Sequence, residues 1–238
     1  MYPVTYEADY LKERNRLTTF FRWIVAIPWF IVGLFYGIAA FVVIVIAWFA
    51  LLILGRYPDG MYNFVGGVLR YSMRVTGFVS LQTDAWPPFG IGDDPSYPVR
   101  VHIEPHAATQ SRLKILFRLI LLIPAMFMSY AMSGITSAVA MVSWMAIVFR
   151  GYQPAAIHNA LAYTIGYQAR FDSYAMLMRD EYPPIGDEIP VEIDPPAATE
   201  AIATEEPASL EPGASPAQGD AAGGGETPPP APPRPPAG

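Results

Sequence analysis

The side chains best equipped for chemistry in this sequence are arginines and aspartates that recur in pairs. Arg16, Arg22, Arg56, Arg70, Arg74 and Asp84 are followed by Arg112, Arg118, Arg170 and Asp180. Arg16/Arg112, Arg22/Arg118, Arg74/Arg170 and Asp84/Asp180 each stand 96 residues apart. Guanidinium groups grip carboxylates and phosphates through paired N–H donors. The set therefore offers two chemistries, capture of lipid headgroups or ion pairs that brace the fold. A brace is the expected role for the aspartates, each of which precedes a double proline (Pro87-Pro88, Pro183-Pro184) and lies within reach of an arginine of its own unit.

Other chemistry is missing. His102 and His106 are four apart, but Pro105 breaks the helical face that would bring them together, and His158 is remote in sequence. The chain has no cysteine, which excludes disulfides, thiolate metal sites and thiol nucleophiles. No phosphate-cradling glycine loop, nucleophile elbow or His-Glu-x-x-His signature occurs. The expectation is a non-enzyme with no catalytic residue, no metal, no cofactor and no nucleic-acid partner.

The elements that must position the arginines are apolar. Trp23 to Leu54 is a run of 32 residues without a charge, and Leu119 to Phe149 is another of 31. About 20 apolar residues suffice to cross a bilayer, whereas soluble helices this long without a polar face are very rare. Basic residues flank both ends of each run: Arg14, Arg16 and Arg22 before the first, Arg56, Arg70 and Arg74 after it, then Arg112, Lys114 and Arg118 before the second, Arg150, Arg170 and Arg179 after it. Basic flanks mark the cytoplasmic side, and a single crossing cannot put both flanks there. The sequence therefore predicts a transmembrane helical hairpin in each run, turning near Gly33 and Gly37 and near Ser133 and Gly134, with both termini cytoplasmic. A tilted single crossing is the alternative. Pro28 and Pro124, early in their runs, predict a kink or a helix start.

Each run is followed by a Pro/Gly turn and about 20 residues with helical periodicity. Met61, Phe64, Val65, Val68, Val75, Phe78 and Val79 face one way, with Asn63, Arg70 and Arg74 largely on another. This predicts an amphipathic helix lying in the membrane interface, its arginines reaching for headgroups. Tyr97 to Glu104 alternates as a strand does. Pro3 to Glu7 and Pro190 to Asp194 echo it, predicting a small cytoplasmic sheet.

Shifted by 96, the halves align without a gap over residues 16–90. Besides the charged pairs, Pro28/Pro124, Trp48/Trp144, Gly55/Gly151, Pro58/Pro154, Asn63/Asn159 and Gly90/Gly186 match. The organisation is thus an all-α membrane protein of two tandem units, 1–92 and 93–194, and a tail, 195–238. The tail carries six acidic residues and one basic, so most of the chain's net charge of −6 resides there. Its Pro/Ala/Gly/Glu composition cannot bury enough surface to fold and predicts disorder. Its TPPPAPPRPPAG end favours polyproline II, a ligand for a protein partner or a solvated spacer.

The motifs Tyr2-Pro3-Val4, Gly55-Arg56-Tyr57-Pro58, Leu69-Arg70 and Thr83-Asp84-Ala85-Trp86-Pro87-Pro88-Phe89, with Tyr97-Pro98-Val99 and Ser111-Arg112-Leu113 in the second unit, occur in a fixed order. That order resembles the bacterial membrane family called domain of unknown function 4389, over residues 2–185. The second unit departs from it at Gly151-Tyr152-Gln153-Pro154, at Gly166 (where the first has Arg70 near its helix centre) and at Ile185. The resemblance implies a multi-pass protein of the bacterial cytoplasmic membrane and transfers no activity and no functional residue. The expected role is a non-catalytic scaffold or accessory subunit that contacts membrane lipids, with a transporter or channel for a lipid or small apolar solute as the alternative.

Overall fold

A computed structural model describes residues 2–105 and 110–186. The expected third strand, residues 190–194, and the tail, 195–238, lie outside the described residues, as does His106.

Each repeat folds into one short helix, one long apolar helix and one buried helix, preceded by a strand. The first unit supplies β1 (Val4–Ala8), α1 (Arg16–Val25), α2 (Ile27–Leu54) and α3 (Asp59–Val79). The second supplies β2 (Val99–Ile103), α4 (Arg112–Leu116), α5 (Arg118–Arg150) and α6 (Ala155–Ala175). Asn15 starts α1 by accepting hydrogen bonds from the N–H groups of Leu17 and Thr18. The long helices end at Gly55 (φ 73°) and Gly151 (φ 82°), in the left-handed conformation that glycine adopts at least cost.

The helical hairpins expected inside the apolar runs do not form. α2 passes through Gly33 and Gly37, and α5 through Ser133 and Gly134, without a turn. A continuous helix satisfies its backbone internally, whereas a turn amid apolar side chains would strand carbonyls and N–H groups. Gly33 instead makes room for a neighbour: a Cβ there would touch the Tyr71 ring at 3.5 Å. Both long helices are long and apolar enough to span a membrane. Pro28 falls in the first turn of α2, where its missing N–H costs nothing, while Pro124 is interior to α5.

The periodic segments after the runs also differ from expectation. α3 and α6 are helices of 21 residues, but they form a middle layer and are buried along most of their length. One face of α3 meets the sheet. Gly77 is in contact range of β1 and β2, and a Cβ there would lie 2.8 Å from Tyr6 Oη and 3.0 Å from Val99 Cγ2. More than about 100° away around the helix, Tyr71 donates to the Trp29 carbonyl of α2 at 2.8 Å and packs edge-on against Tyr36. Residues that looked amphipathic for a membrane surface thus serve two protein neighbours.

The sheet has two antiparallel strands, with Thr5 opposite His102 and Tyr6 opposite Val101. Val4, Tyr6, Val99 and Val101 point inward to Val65, Leu69 and Met73 of α3 and to Leu161, Ile165 and Ala169 of α6. Thr5, Glu7, Arg100 and His102 form the outer face, where Arg100 pairs with Asp9 at 2.6 Å. Three layers result: α2 and α5, then α3 and α6, then the sheet.

The repeats interleave rather than sit side by side. α1 of the first unit runs along the end of α5: the Arg14 N–H donates to the Gly151 carbonyl at 3.1 Å, and the rings of Phe20 and Trp144 lie 6.1 Å apart. Reciprocally, the Gln110 N–H donates to the Gly55 carbonyl at 3.0 Å, and Trp48 Nε1 reaches the Ile115 carbonyl at 3.3 Å. Even the left-handed residues repeat, Leu81 (φ 68°) and Leu177 (φ 62°) being 96 apart. Each closes the end of its helix, with Gln82 N–H bonding the Gly77 carbonyl and Met178 N–H the Ser173 carbonyl. Burial of both leucines offsets the steric cost of that conformation.

Candidate functional site

The arginines and aspartates singled out by type and spacing divide into two groups. Four arginines hold the loop that follows α3 or α6. Arg22, 1% exposed, donates to the carbonyls of Phe78 and Thr83 and to Asp84, and stacks over the Phe78 ring at 4.5 Å. Asp84 also accepts the Asn15 N–H at 2.9 Å, tying the loop to the start of α1. Burial pulls the Arg22 pKa down, and Asp84 opposes that shift. In the second unit Arg118 bonds the Arg179 carbonyl, lies 3.9 Å from Asp180 and sits over the Tyr174 ring, and Asp180 accepts the Ser111 N–H at 2.8 Å. Arg74 donates to the Gly92 carbonyl at 2.7 Å, and Arg170 to the Pro184 carbonyl at 3.3 Å. Buried, and turned toward the protein's own carbonyls and carboxylates, these four present little to a headgroup.

The remaining arginines are more open to solvent. Arg70 approaches Asp93 at 3.8 Å, and Arg56 is exposed beside the end of α2. Arg112 rests on Gly55 and reaches the Ile53 carbonyl at 3.1 Å, while Arg16 rests on Gly151. Lys12, Arg16 and Arg150 converge on one hollow, and Arg56 and Arg112 gather at the symmetry-related position.

A site that the spacing did not reveal lies between α3, α5 and α6. It is a crevice of about 470 Å³. Its polar lining is Ser72 and Thr76 of α3, Ser129, Tyr130, Ser133 and Thr136 of α5, and Gln168 and Asp172 of α6. Ser129 Oγ donates to Gln168 Oε1 at 2.8 Å, and Gln168 Nε2 donates to Asp172 Oδ1 at 2.8 Å. Protein atoms surround the Asp172 carboxyl, although the residue keeps some solvent exposure at the crevice. Burial pushes its pKa up to about 6, against the pull of the Gln168 bond. Spacing alone did not single out Asp172, because apart from Gln168 one turn earlier the groups that enclose it come from α3 and α5. A signal was present nonetheless. Ser129, Ser133 and Thr136 stand where the first unit has Gly33, Gly37 and Ala40, so one apolar run is hydroxyl-bearing and its twin is not.

The crevice can accept and donate hydrogen bonds and can change charge near neutral pH. It holds no nucleophile activated by a base, and among the described residues no cluster of His, Cys, Asp and Glu could hold a metal ion.

A family model described as Domain of unknown function (DUF4389) matches the chain twice, over residues 16–90 and 112–185. No curated protein and no solved structure gives a significant match.

Proposed function

The chain belongs to the DUF4389 family as two tandem copies, a membership that assigns no activity, and we propose that it is an integral membrane protein acting as a non-catalytic scaffold or accessory subunit. One observation carries the membrane part of this reading. Leu17, Trp23, Phe35, Phe41, Ile53, Leu119, Phe127 and Phe149 are each more than 60% exposed on α1, α2 and α5. Eight such side chains present apolar surface on the order of 1,000 Å², beyond the few hundred Å² of the largest patch on a typical soluble monomer. The opposite layer carries the charged sheet face. A body so divided belongs where hydrocarbon meets water, with the sheet and residues 195–238 available to protein partners.

Extraction of isolated membranes with alkaline carbonate tests this. The protein remains in the pellet and leaves it only with detergent. Recovery as a monodisperse species in the supernatant overturns the proposal.

The crevice favours a second reading, recognition or transport of a small amphiphile whose polar end bonds Asp172 and the hydroxyls. Substrate-selective flux in liposomes reconstituted with the purified protein, lost in Asp172→Ala, would establish it over a scaffold.

A further inference from the structure

We infer that α2 and α5 lie along one leaflet of the bilayer instead of crossing it, with the symmetry axis of the two repeats parallel to the membrane normal. This rests on the membrane reading above and adds the orientation.

The axis is fixed by the strand register. In the strands the repeat is offset by 95, Tyr2-Pro3-Val4 matching Tyr97-Pro98-Val99. Tyr6 therefore faces its own equivalent Val101, Thr5 faces His102, the equivalent of Glu7, and Glu7 faces Arg100, the equivalent of Thr5. Exchanging the units therefore leaves the pairing unchanged. An antiparallel pair with that property has its two-fold axis normal to the sheet, passing between Tyr6 and Val101. The α3/α6 and α2/α5 layers follow in turn on the inner face of the sheet. The axis consequently runs from the charged sheet face through to the apolar helices, which lie across it.

Polar groups stand at both ends of α2 and partway along it. Arg22 and Asp84 stand just before its start. Tyr36, near its middle, bonds the Phe89 carbonyl, next to the segment held by Arg74 and carrying Asp93. Asp59 follows its end. The sheet runs beside α3, since Val99 abuts Gly77 and Ile103 abuts Gly66, and α3 lies along α2, with Tyr71 against Trp29, Gly33 and Tyr36. Were α2 to cross the membrane, Glu7, Arg100, His102 and the exposed Asp93 would lie at the depth of acyl chains, with the sheet edges, which find no partner among the described residues. Hydrocarbon tolerates neither.

Length and charge agree. α2 and α5, at 28 and 33 residues, are about 42 and 50 Å long. Fitting them to a hydrocarbon core of about 30 Å requires tilts of about 44° and 53°, outside the usual range of up to about 40°. The basic groups Lys12, Arg16 and Arg150 sit at one end of the layer, Arg56, Arg112 and Lys114 at the other. A crossing would send one group to the far side, against the bias of basic residues to one face. Lying flat puts both groups among the headgroups of one leaflet, with the outward faces of α2 and α5 against its acyl chains.

Because the chain lacks cysteine, single cysteines report topology directly. Leu11→Cys and Gly60→Cys bracket α1 and α2, His102→Cys marks the sheet face, and Gly37→Cys and Gly134→Cys mark the helix centres, where added atoms meet no neighbour. Sealed membrane vesicles of both orientations are treated with a membrane-impermeant maleimide. The expected result is labelling of Leu11→Cys, Gly60→Cys and His102→Cys from one and the same side, with Gly37→Cys and Gly134→Cys protected from both sides until detergent is added. Labelling of Leu11→Cys and Gly60→Cys from opposite sides, or protection of His102→Cys, overturns the proposal in favour of a crossing. Access to Gly37→Cys from the side opposite Leu11→Cys overturns it in favour of a hairpin. Efficient disulfide dimers through Gly37→Cys overturn it in favour of a second copy on the apolar face. All of these leave the protein in the membrane fraction, so they are distinct from failure of the membrane reading itself.

Discussion

Replacing Asp84 with alanine leaves the Arg22 guanidinium buried with its carboxylate gone. Arg22 is 1% exposed and the Asp84 side chain 20% exposed. Removing one member of a fully buried ion pair costs about 3–5 kcal/mol. Water at the partly open carboxylate and the surviving bonds to the Phe78 and Thr83 carbonyls reduce that toward about 2–4 kcal/mol. Loss of the acceptor for the Asn15 N–H adds about 1 kcal/mol, giving an expected destabilisation of about 4 kcal/mol. Trp29, stacked on Phe89 at 4.9 Å beside this loop, gives a fluorescence signal for denaturant unfolding in detergent micelles. The second unit is the internal control. Arg118 and Asp180 are 3.9 Å apart and Arg118 keeps the Tyr174 ring, so Asp180→Ala should cost less. The double variant Arg22→Met/Asp84→Ala should recover part of the loss, because the unpaired charge is gone although the Phe78 and Thr83 carbonyls and the Asn15 N–H lose their partners. An Asp84→Ala loss under about 1 kcal/mol, or a double variant no better than the single one, would refute the brace.

The Asp172 carboxyl has a folded-state pKa raised to about 6 from 3.8, so the fold prefers its neutral form. Its contribution to stability should be greatest below pH 4, fall as the pH rises toward 6 and level off above, by at most about 3 kcal/mol before allowance for solvent at the crevice. Asp172→Asn should flatten the melting temperature across pH 4–8, and an unchanged slope would count against a buried carboxyl. Gly77→Ala should cost about 1–2 kcal/mol through the clash with Tyr6 and Val99, and Tyr6→Phe should recover part of it in thermal unfolding. Gly134→Ala, with open space around it, should be neutral or slightly stabilising by the same assay. Arg112→Gln with Lys114→Gln should weaken retention of anionic lipid by about 1 kcal/mol per charge. Native mass spectrometry of the purified protein reads that loss as fewer bound anionic lipids, and equal occupancy would remove these side chains from the headgroup contact.

The duplication and the long apolar elements were legible in the residues, because Arg, Pro, Trp and Asn at one constant offset have no other cause. So were the two described strands, through alternation at Val99–Ile103. The hairpins were misread because Gly33 and Gly37 resemble turn residues, when Gly33 leaves space for Tyr71. The basic flanks that argued for hairpins fit equally a helix lying flat, and no count of charges along a chain separates the two. α3 was misplaced because helical periodicity states that a helix has two unlike sides without saying what each side meets. Here one side meets a sheet contributed by both repeats, which only the tertiary fold supplies. Asp172 escaped notice for the same reason, since Ser129 lies 43 positions earlier in sequence.

The cross-packing of α1 on α5 and α4 on α2 has a consequence for how such a protein could have begun. A single repeat has an incomplete body. Its strand lacks a mate, and the start of its short helix lacks the glycine-capped end it rests upon. Two identical half-length polypeptides could supply these to each other and close into a homodimer of the same architecture, its pseudo-symmetry then a true dyad. Fusion of the two genes would keep the geometry while freeing each half to diverge, as the loss of charge at Gly166 and the gain of hydroxyls along α5 illustrate.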